Sequence, residues 1–253
     1  MTARHDAGWL AIAGLGPGDA ALITPEVTAA LAQATDVIGY IPYVARIAPR
    51  DGLTLHASDN RVELDRAAHA LALAASGRRV VIVSSGDPGV FAMAAAVFEV
   101  VEAAPAHAAI DIRVLPGITA MLAAAARAGA PLGHDFCAIN LSDNLKPHAL
   151  IERRVRLAAQ ADFAMAFYNP CSRARPDTLD RVLAVLRESC ADDRPVLFAR
   201  AVSTADEHLA IVPLPQARGD MADMRTVVIV GSSTTRVIPR AGTAILYTPR
   251  SAA

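Results

Sequence analysis

Short apolar runs alternate with amphipathic stretches along most of the chain, the pattern of strands and helices taken in turn. "WLAIAG", from Trp9, reads as a buried strand that breaks into the glycine-rich turn "GLGPGD" (Gly14–Asp19). Thr24-Pro25-Glu26 has the form of a helix start, with Thr24 as N-cap and Pro25 at the first helical position. "DVIGY" (Asp36–Tyr40) is a second strand, and "YIPYVARIAPRDG" follows as an irregular segment broken by Pro42 and Pro49. Asn60 and Glu63 have the spacing of a capping box for a helix running to about Ser76. "RRVVIVSSGDPGVF" is the clearest strand–turn–helix, with Val80–Val83 buried, a turn over Ser85–Gly89 and a helix from about Val90. "IDIRVLPG" (Ile110–Gly117) is a further strand that ends in a Pro-Gly turn.

Beyond "LPGITA" the pattern restarts. A helix through Met121–Arg127 leads to a strand "FCAIN", a helix from Pro147 to about Gln160 and the strand "DFAMAFYNP". A helix from about Pro176 to Ser189 and the strand "PVLFARA" follow. The chain then crosses to "LAIVPL", a short helical piece, and the strands "TVVIVGSST" and "TAILYTP". Strands so close together, with little helix between them, imply a mixed or partly antiparallel sheet. The fold class is therefore α/β, read as two α/β domains over residues 1–116 and 117–253 that share a cleft.

Composition sharpens this picture modestly. The 253 residues are 53% hydrophobic and 19% charged, which supplies a real core and excludes disorder. A formal net charge of -1 gives no global basic field, so nucleic acid is not the expected partner. Cys137, Cys171 and Cys190 are an odd set without CxxC spacing, so neither a disulfide framework nor a metal site is expected. There is no signal-peptide pattern and no run approaching ~20 apolar residues, so the expectation is a cytoplasmic protein without a membrane partner.

The glycine loops carry the candidate chemistry. "GLGPGD" is neither GxGxxG nor a Walker A loop, and Asp19 would repel a phosphate. It reads either as a turn capped by Asp19 or as bare backbone approaching an uncharged or cationic ligand. "SSGDPGVF" puts Asp87 at the carboxyl end of a strand, where α/β folds place ligands; Asp87 as N-cap of the next helix is the rival reading. In "PGITA", Thr119 stands at a helix start as a cap or a ligand contact. "LSDNLKPH" and "FYNPCSRARPDT" gather Asp143, Asn144, Lys146, His148, Tyr168, Asn169, Arg173 and Arg175, which suits a polyanion or a solvated loop surface. His134 with Asp135 is an acid/base candidate or surface decoration.

Together, "GLGPGD", "SGDPGVF" and "LPGITA" resemble, in this order, the tetrapyrrole methyltransferases, the family that places S-adenosylmethionine methyl groups on corrin and sirohaem precursors. "YIPY", "NLSDNLKPHALIERR", "FYNPCSRARPDTL" and "TVVIVGSSTTRV" are similar to the branch that methylates precorrin-3B at carbon 17 and contracts its ring to precorrin-4. The resemblance implies a homodimer with the cofactor in the cleft between domains. It implies cofactor contacts at Pro17, Gly86, Asp87, Val90, Thr119, Ala120, Asn169, Leu197 and Thr226, with S-adenosylhomocysteine as product. The substrate, a polycarboxylate tetrapyrrole, would then meet Lys146, Arg173 and Arg175. Ring contraction needs a general acid or base, for which Asp143 and His134 are the candidates. Cys171 stands where a basic residue is expected after "YNP", and Ser232 where relatives often carry asparagine. A cobalt-precorrin or uroporphyrinogen III as substrate remains open, as does a non-catalytic binding protein. A dinucleotide oxidoreductase is disfavoured by the missing GxGxxG.

Overall fold

The computed structural model describes residues 8–59, 62–172 and 174–251. The chain divides into two units, Met1–Thr119 and Ala120–Ala253. In the first unit the elements run β1 (Trp9–Gly14), α1 (Pro25–Gln33), β2 (Asp36–Tyr40), α2 (Ile41–Val44), β3 (Thr54–Ser58), α3 (Glu63–Ala75), β4 (Arg79–Ser84), α4 (Met93–Ala103) and β5 (Asp111–Leu115). The five strands pair in the order β3-β2-β4-β1-β5, all in parallel.

Both faces of that sheet are covered, which is why its strands are continuously apolar rather than alternating with polar residues. Leu10, Ile12, Val80 and Ile82 point to one face and pack with Ala67, Leu71 and Val97 of α3 and α4. Ala11, Ala13, Val81 and Val83 point to the other, against Val27 and Ala30 of α1. The chain thus leaves β1 toward one face and β4, its neighbour, toward the other. Such a reversal opens a crevice at the carboxyl ends of the two strands.

Several sequence expectations hold in detail. The Thr24 hydroxyl accepts from Val27 N at 3.3 Å, and Pro25 opens α1. Three points differ. The segment after Tyr40 is not wholly irregular: Pro42 sits in the first turn of α2, where its missing N–H costs nothing. β3 was not anticipated, because a five-residue edge strand with His56 at its centre carries little apolar pattern. The helix expected from Val90 starts at Met93, since Phe91 adopts φ 55° and Ala92 is extended. Asn60, half of the expected capping box, lies outside the described residues; Glu63 is the first residue of α3.

The second unit runs α5 (Ala120–Ala128), β6 (Gly129–Ala130), β7 (Phe136–Asn140), α6 (His148–Gln160), β8 (Ala164–Tyr168), α7 (Thr178–Arg187), β9 (Pro195–Arg200), β10 (His208–Pro213), β11 (Thr226–Val230), β12 (Arg236–Ile238) and β13 (Ile245–Tyr247). Its main sheet has the order β10-β9-β11-β8-β7, parallel at β7–β8 and antiparallel elsewhere, the mixed sheet that the sequence implies. Ile151, Val155, Leu179 and Leu183 of α6 and α7 pack on Met165, Phe167, Phe198 and Val228. A smaller sheet joins β12, β13 and β6.

Candidate active site

In the first unit the three glycine loops leave the carboxyl ends of three adjacent strands, β4, β1 and β5, and their backbones are in contact. Gly16 and Gly86 form an antiparallel bridge, with Gly86 N donating to Gly16 O at 2.9 Å and Gly16 N to Gly86 O at 3.2 Å. Both take φ near +65°, a region open to glycine at little cost (66° and 64°). The Pro-Gly turn closes on the same point. A Cβ on Gly117 would lie 2.1 Å from Gly86 O, and one on Gly14 2.4 Å from it. No side chain fits at either position, so these glycines serve close packing of loop on loop.

Asp87 locks this arrangement. Its Oδ1 accepts from Gly89 N at 2.8 Å and its Oδ2 from Gly117 N at 3.0 Å. It caps no helix, since α4 begins six residues later without a side-chain cap. Asp19 is used locally as well, accepting from Ala21 N at 2.8 Å in a short turn of helix. Pro17 and Gly18 are partly exposed at the tip of the first loop, and Val90 lies in the second. Arg46 is a further residue of this site. Its guanidinium donates to Leu15 O at 2.6 Å, Gly18 O at 3.0 Å and Gly16 O at 3.4 Å, holding the first loop from the segment after α2. Only the arginine in "YIPYVAR" hinted at this, and nothing in its spacing pointed to the loop.

The donor set of these loops has a definite chemistry. They offer backbone, the hydroxyls of Ser84, Ser85 and Thr119 and two carboxylates, Asp19 and Asp87, and no lysine or arginine occurs within Gly14–Asp19, Ser84–Phe91 or Pro116–Thr119. That suits a ligand without phosphate. S-adenosylmethionine, which has a sulfonium and an amino group but no phosphate, fits these terms.

In the second unit the expected contacts fall on several strand ends. Ala120 opens α5, and the Tyr168 hydroxyl accepts from Met121 N at 2.9 Å in the first turn. Asn169 follows β8 with φ 52°, and its Nδ2 donates to Asn140 Oδ1 at 3.0 Å, fixing the ends of neighbouring strands β8 and β7. Thr119, the last residue of the first unit, is 5% exposed, and Leu197 of the second is wholly enclosed in the middle of β9. Thr226 starts β11 and uses its hydroxyl on Asp223 Oδ1 at 2.8 Å. Leu197 and Thr226 are therefore built into the sheet rather than displayed by loops.

Residues 10–218 match the model of the tetrapyrrole (corrin/porphyrin) methylases. The chain belongs to the tetrapyrrole methylase family. A precorrin-3B C(17)-methyltransferase from Sinorhizobium sp. is 52% identical over 245 residues, 96% of each chain. A probable cobalt-factor III C(17)-methyltransferase from Salmonella typhimurium is 37% identical over 90% of this chain and 94% of its own. Among solved structures, that of the methyltransferase CobJ is similar with a TM-score of 0.92 and 67% identity, covering 96% of this chain and 100% of that one.

Within this tetrapyrrole methylase the polar residues of the second unit form a partly enclosed cluster. Arg175 Nη1 donates to Asp143 Oδ1 at 2.8 Å and to Ser142 Oγ at 2.7 Å. The hydrogen bond from Arg175 holds the Asp143 carboxyl below its usual range despite some desolvation. Burial, with Arg154 and Arg175 nearby, lowers the pKa of Lys146, which Asp143 offsets in part. His148 opens α6 with both ring nitrogens enclosed. Its Nδ1 lies 3.0 Å from Glu152 Oε1, outside hydrogen-bonding alignment. His134 lies on an exposed turn, 3.8 Å from Asp135. Arg173 lies outside the described residues. Cys171 donates its thiol to Ala222 O at 3.0 Å, and burial pushes its pKa up.

Proposed function

We propose that this protein transfers the methyl group of S-adenosylmethionine to carbon 17 of precorrin-3B, with contraction of the macrocycle to precorrin-4, in cobalamin synthesis. The observation that carries this reading is the end-to-end match to the Sinorhizobium enzyme, which leaves no large part of either chain unmatched. The loops of the first unit support the donor chemistry independently. Their own residues include no lysine or arginine for a phosphate, and the one arginine that reaches them, Arg46, is engaged by the carbonyls of Leu15, Gly16 and Gly18.

The cofactor supplies an electrophilic methyl group on a sulfonium. This chain's own residues then have two tasks. Gly86, Val90 and the tip at Pro17 line the donor side, with Asp87 holding the loops in register. Thr119, Ala120 and Asn169 are assigned to the same ligand on the resemblance, and Leu197 and Thr226 act through the strands that carry them. Methyl transfer is an in-line displacement, so fixed geometry and exclusion of water supply much of the acceleration. Lys146, Arg173 and Arg175 are assigned to carboxylates of the tetrapyrrole.

Proton transfer during contraction needs a group able to change charge near neutral pH. Asp143, ionised beside Arg175, is suited to orienting that arginine rather than donating a proton. His134 gains no support from its exposed position. His148, enclosed and without an aligned hydrogen bond, is the stronger acid/base candidate. The proposal includes a homodimer and a cytoplasmic setting, in which the free thiols Cys137, Cys171 and Cys190 stay reduced. Calorimetry tests the donor assignment. Saturable binding of S-adenosylhomocysteine, with none of NAD or ATP, is expected; failure to bind it would sink the assignment.

A further inference from the structure

Arg66, in the first turn of α3, is 5% exposed. Its Nε donates to Ser58 Oγ at 2.9 Å, Nη2 to Asp59 O at 2.6 Å and Nη1 to Met93 Sδ at 3.4 Å. Among the described residues no carboxylate comes within ion-pair distance of it. Glu63, the acid whose charge it senses, is exposed one helical turn back. Arg194, buried to the same degree at 6% exposure, has Asp162 at 3.1 Å. Burial accordingly pushes the Arg66 guanidinium toward losing its proton.

The position of this charge is telling as well. Ser58 ends β3 and pairs with Tyr40, the last residue of β2. Met93 opens α4 directly after the second glycine loop. Arg66 therefore sits at the carboxyl edge of the first unit's sheet, where α/β folds take ligands. Tyr40 and Tyr43, whose rings meet edge to face at 5.4 Å, give the same edge an aromatic surface. Of the five guanidinium N–H groups, one is spent on a thioether, a weak acceptor, and one on each terminal nitrogen remains unassigned. A carboxylate accepts from both terminal nitrogens in an end-on pair.

We propose that Arg66 binds a side-chain carboxylate of the tetrapyrrole, displacing the Met93 sulfur from its Nη1. The proposal rests on the reading above that the substrate is a polycarboxylate tetrapyrrole. Taking a charge out of water costs stability, and a buried cation without a counter-ion has no ion-pair attraction to repay it. A residue kept for structure and a residue kept for a ligand therefore differ in a measurable way.

The test compares wild type, Arg66→Met and Arg66→Lys in thermal unfolding, in binding of S-adenosylhomocysteine, and in titration with uroporphyrin III, a stable polycarboxylate porphyrin. Arg66→Met is expected to keep or raise Tm, leave S-adenosylhomocysteine affinity unchanged and weaken porphyrin binding at least tenfold, with Arg66→Lys intermediate. A Tm lowered by several degrees in Arg66→Met assigns a structural role and overturns the proposal, as does unchanged porphyrin affinity. Wild type that binds S-adenosylhomocysteine but no porphyrin overturns it too, and leaves the methyl-donor reading standing. Porphyrin binding without S-adenosylhomocysteine binding would sink the donor reading and leave the Arg66 comparison valid.

Discussion

The carboxylate of Asp87 accepts the backbone N–H of Gly117 at 3.0 Å, so the loop after β4 is tied to the turn after β5 across an intervening strand, β1. The bond makes the glycine loops one object rather than three. Asp87→Ala removes both acceptors and leaves the N–H groups of Gly89 and Gly117 seeking others, at a cost of roughly 1–3 kcal/mol each where they are shielded from water. A fall of several degrees in Tm and at least a tenfold loss of S-adenosylhomocysteine affinity are expected together. Unchanged affinity in calorimetry would separate the bond from the ligand site.

Gly117→Ala places a methyl 2.1 Å from the Gly86 carbonyl oxygen, backbone against backbone, with nothing flexible to yield. Overpacking of this kind costs about 1–3 kcal/mol or more. At Gly89 the new methyl would meet only Asp87 Oδ1, at 3.2 Å. Thermal unfolding should therefore show Gly117→Ala clearly less stable than Gly89→Ala. Equal effects would mean that the loops are not packed as described.

How far the sequence disclosed this site depends on the kind of residue. The three loops, their order and the strands they follow were legible, because Gly, Pro and Asp at strand ends have few other uses. The use of Asp87 was not: a carboxylate after a strand reads equally as ligand contact, helix cap or loop tie, and only the fold brings Gly117 to it. Arg46 and Arg66 were invisible for a similar reason. Arginine is normally exposed, so the enclosure of Arg46 depends on the first glycine loop and that of Arg66 on the packing of β3, α3 and α4, neither of which a local pattern encodes. β3 itself escaped notice because an edge strand has only one neighbour to demand apolar side chains.

Asp36, 1% exposed at the start of β2, anchors the opposite end of the first unit's sheet. Burial raises its pKa, but hydrogen bonds from Arg78, His56 and Thr35 outweigh this and bring it down to about 2. The folded pKa lies below the unfolded one, so the stabilisation is fully present above about pH 4 and is lost as pH falls toward 2. The shift corresponds to on the order of 2 kcal/mol. Denaturant titrations from pH 6 to 2 should show wild type losing that much more stability than Asp36→Asn. Parallel curves would contradict it.

Asp143 is paired with Arg175 at 2.8 Å and held ionised by it. Asp143→Asn keeps the shape and removes the charge. If its task is to orient Arg175 toward a substrate carboxylate, KM rises several-fold while kcat falls less. A large fall in kcat with KM unchanged would return Asp143 to the proton-transfer role.

The measurement closest to the central claim is turnover of precorrin-3B by the purified protein with S-adenosylmethionine carrying an isotopically labelled methyl group, followed by mass and optical spectrum. The expected product carries one labelled methyl at carbon 17 and a contracted ring. Labelling of uroporphyrinogen III or of a cobalt-bearing precorrin, with precorrin-3B left untouched, would contradict it.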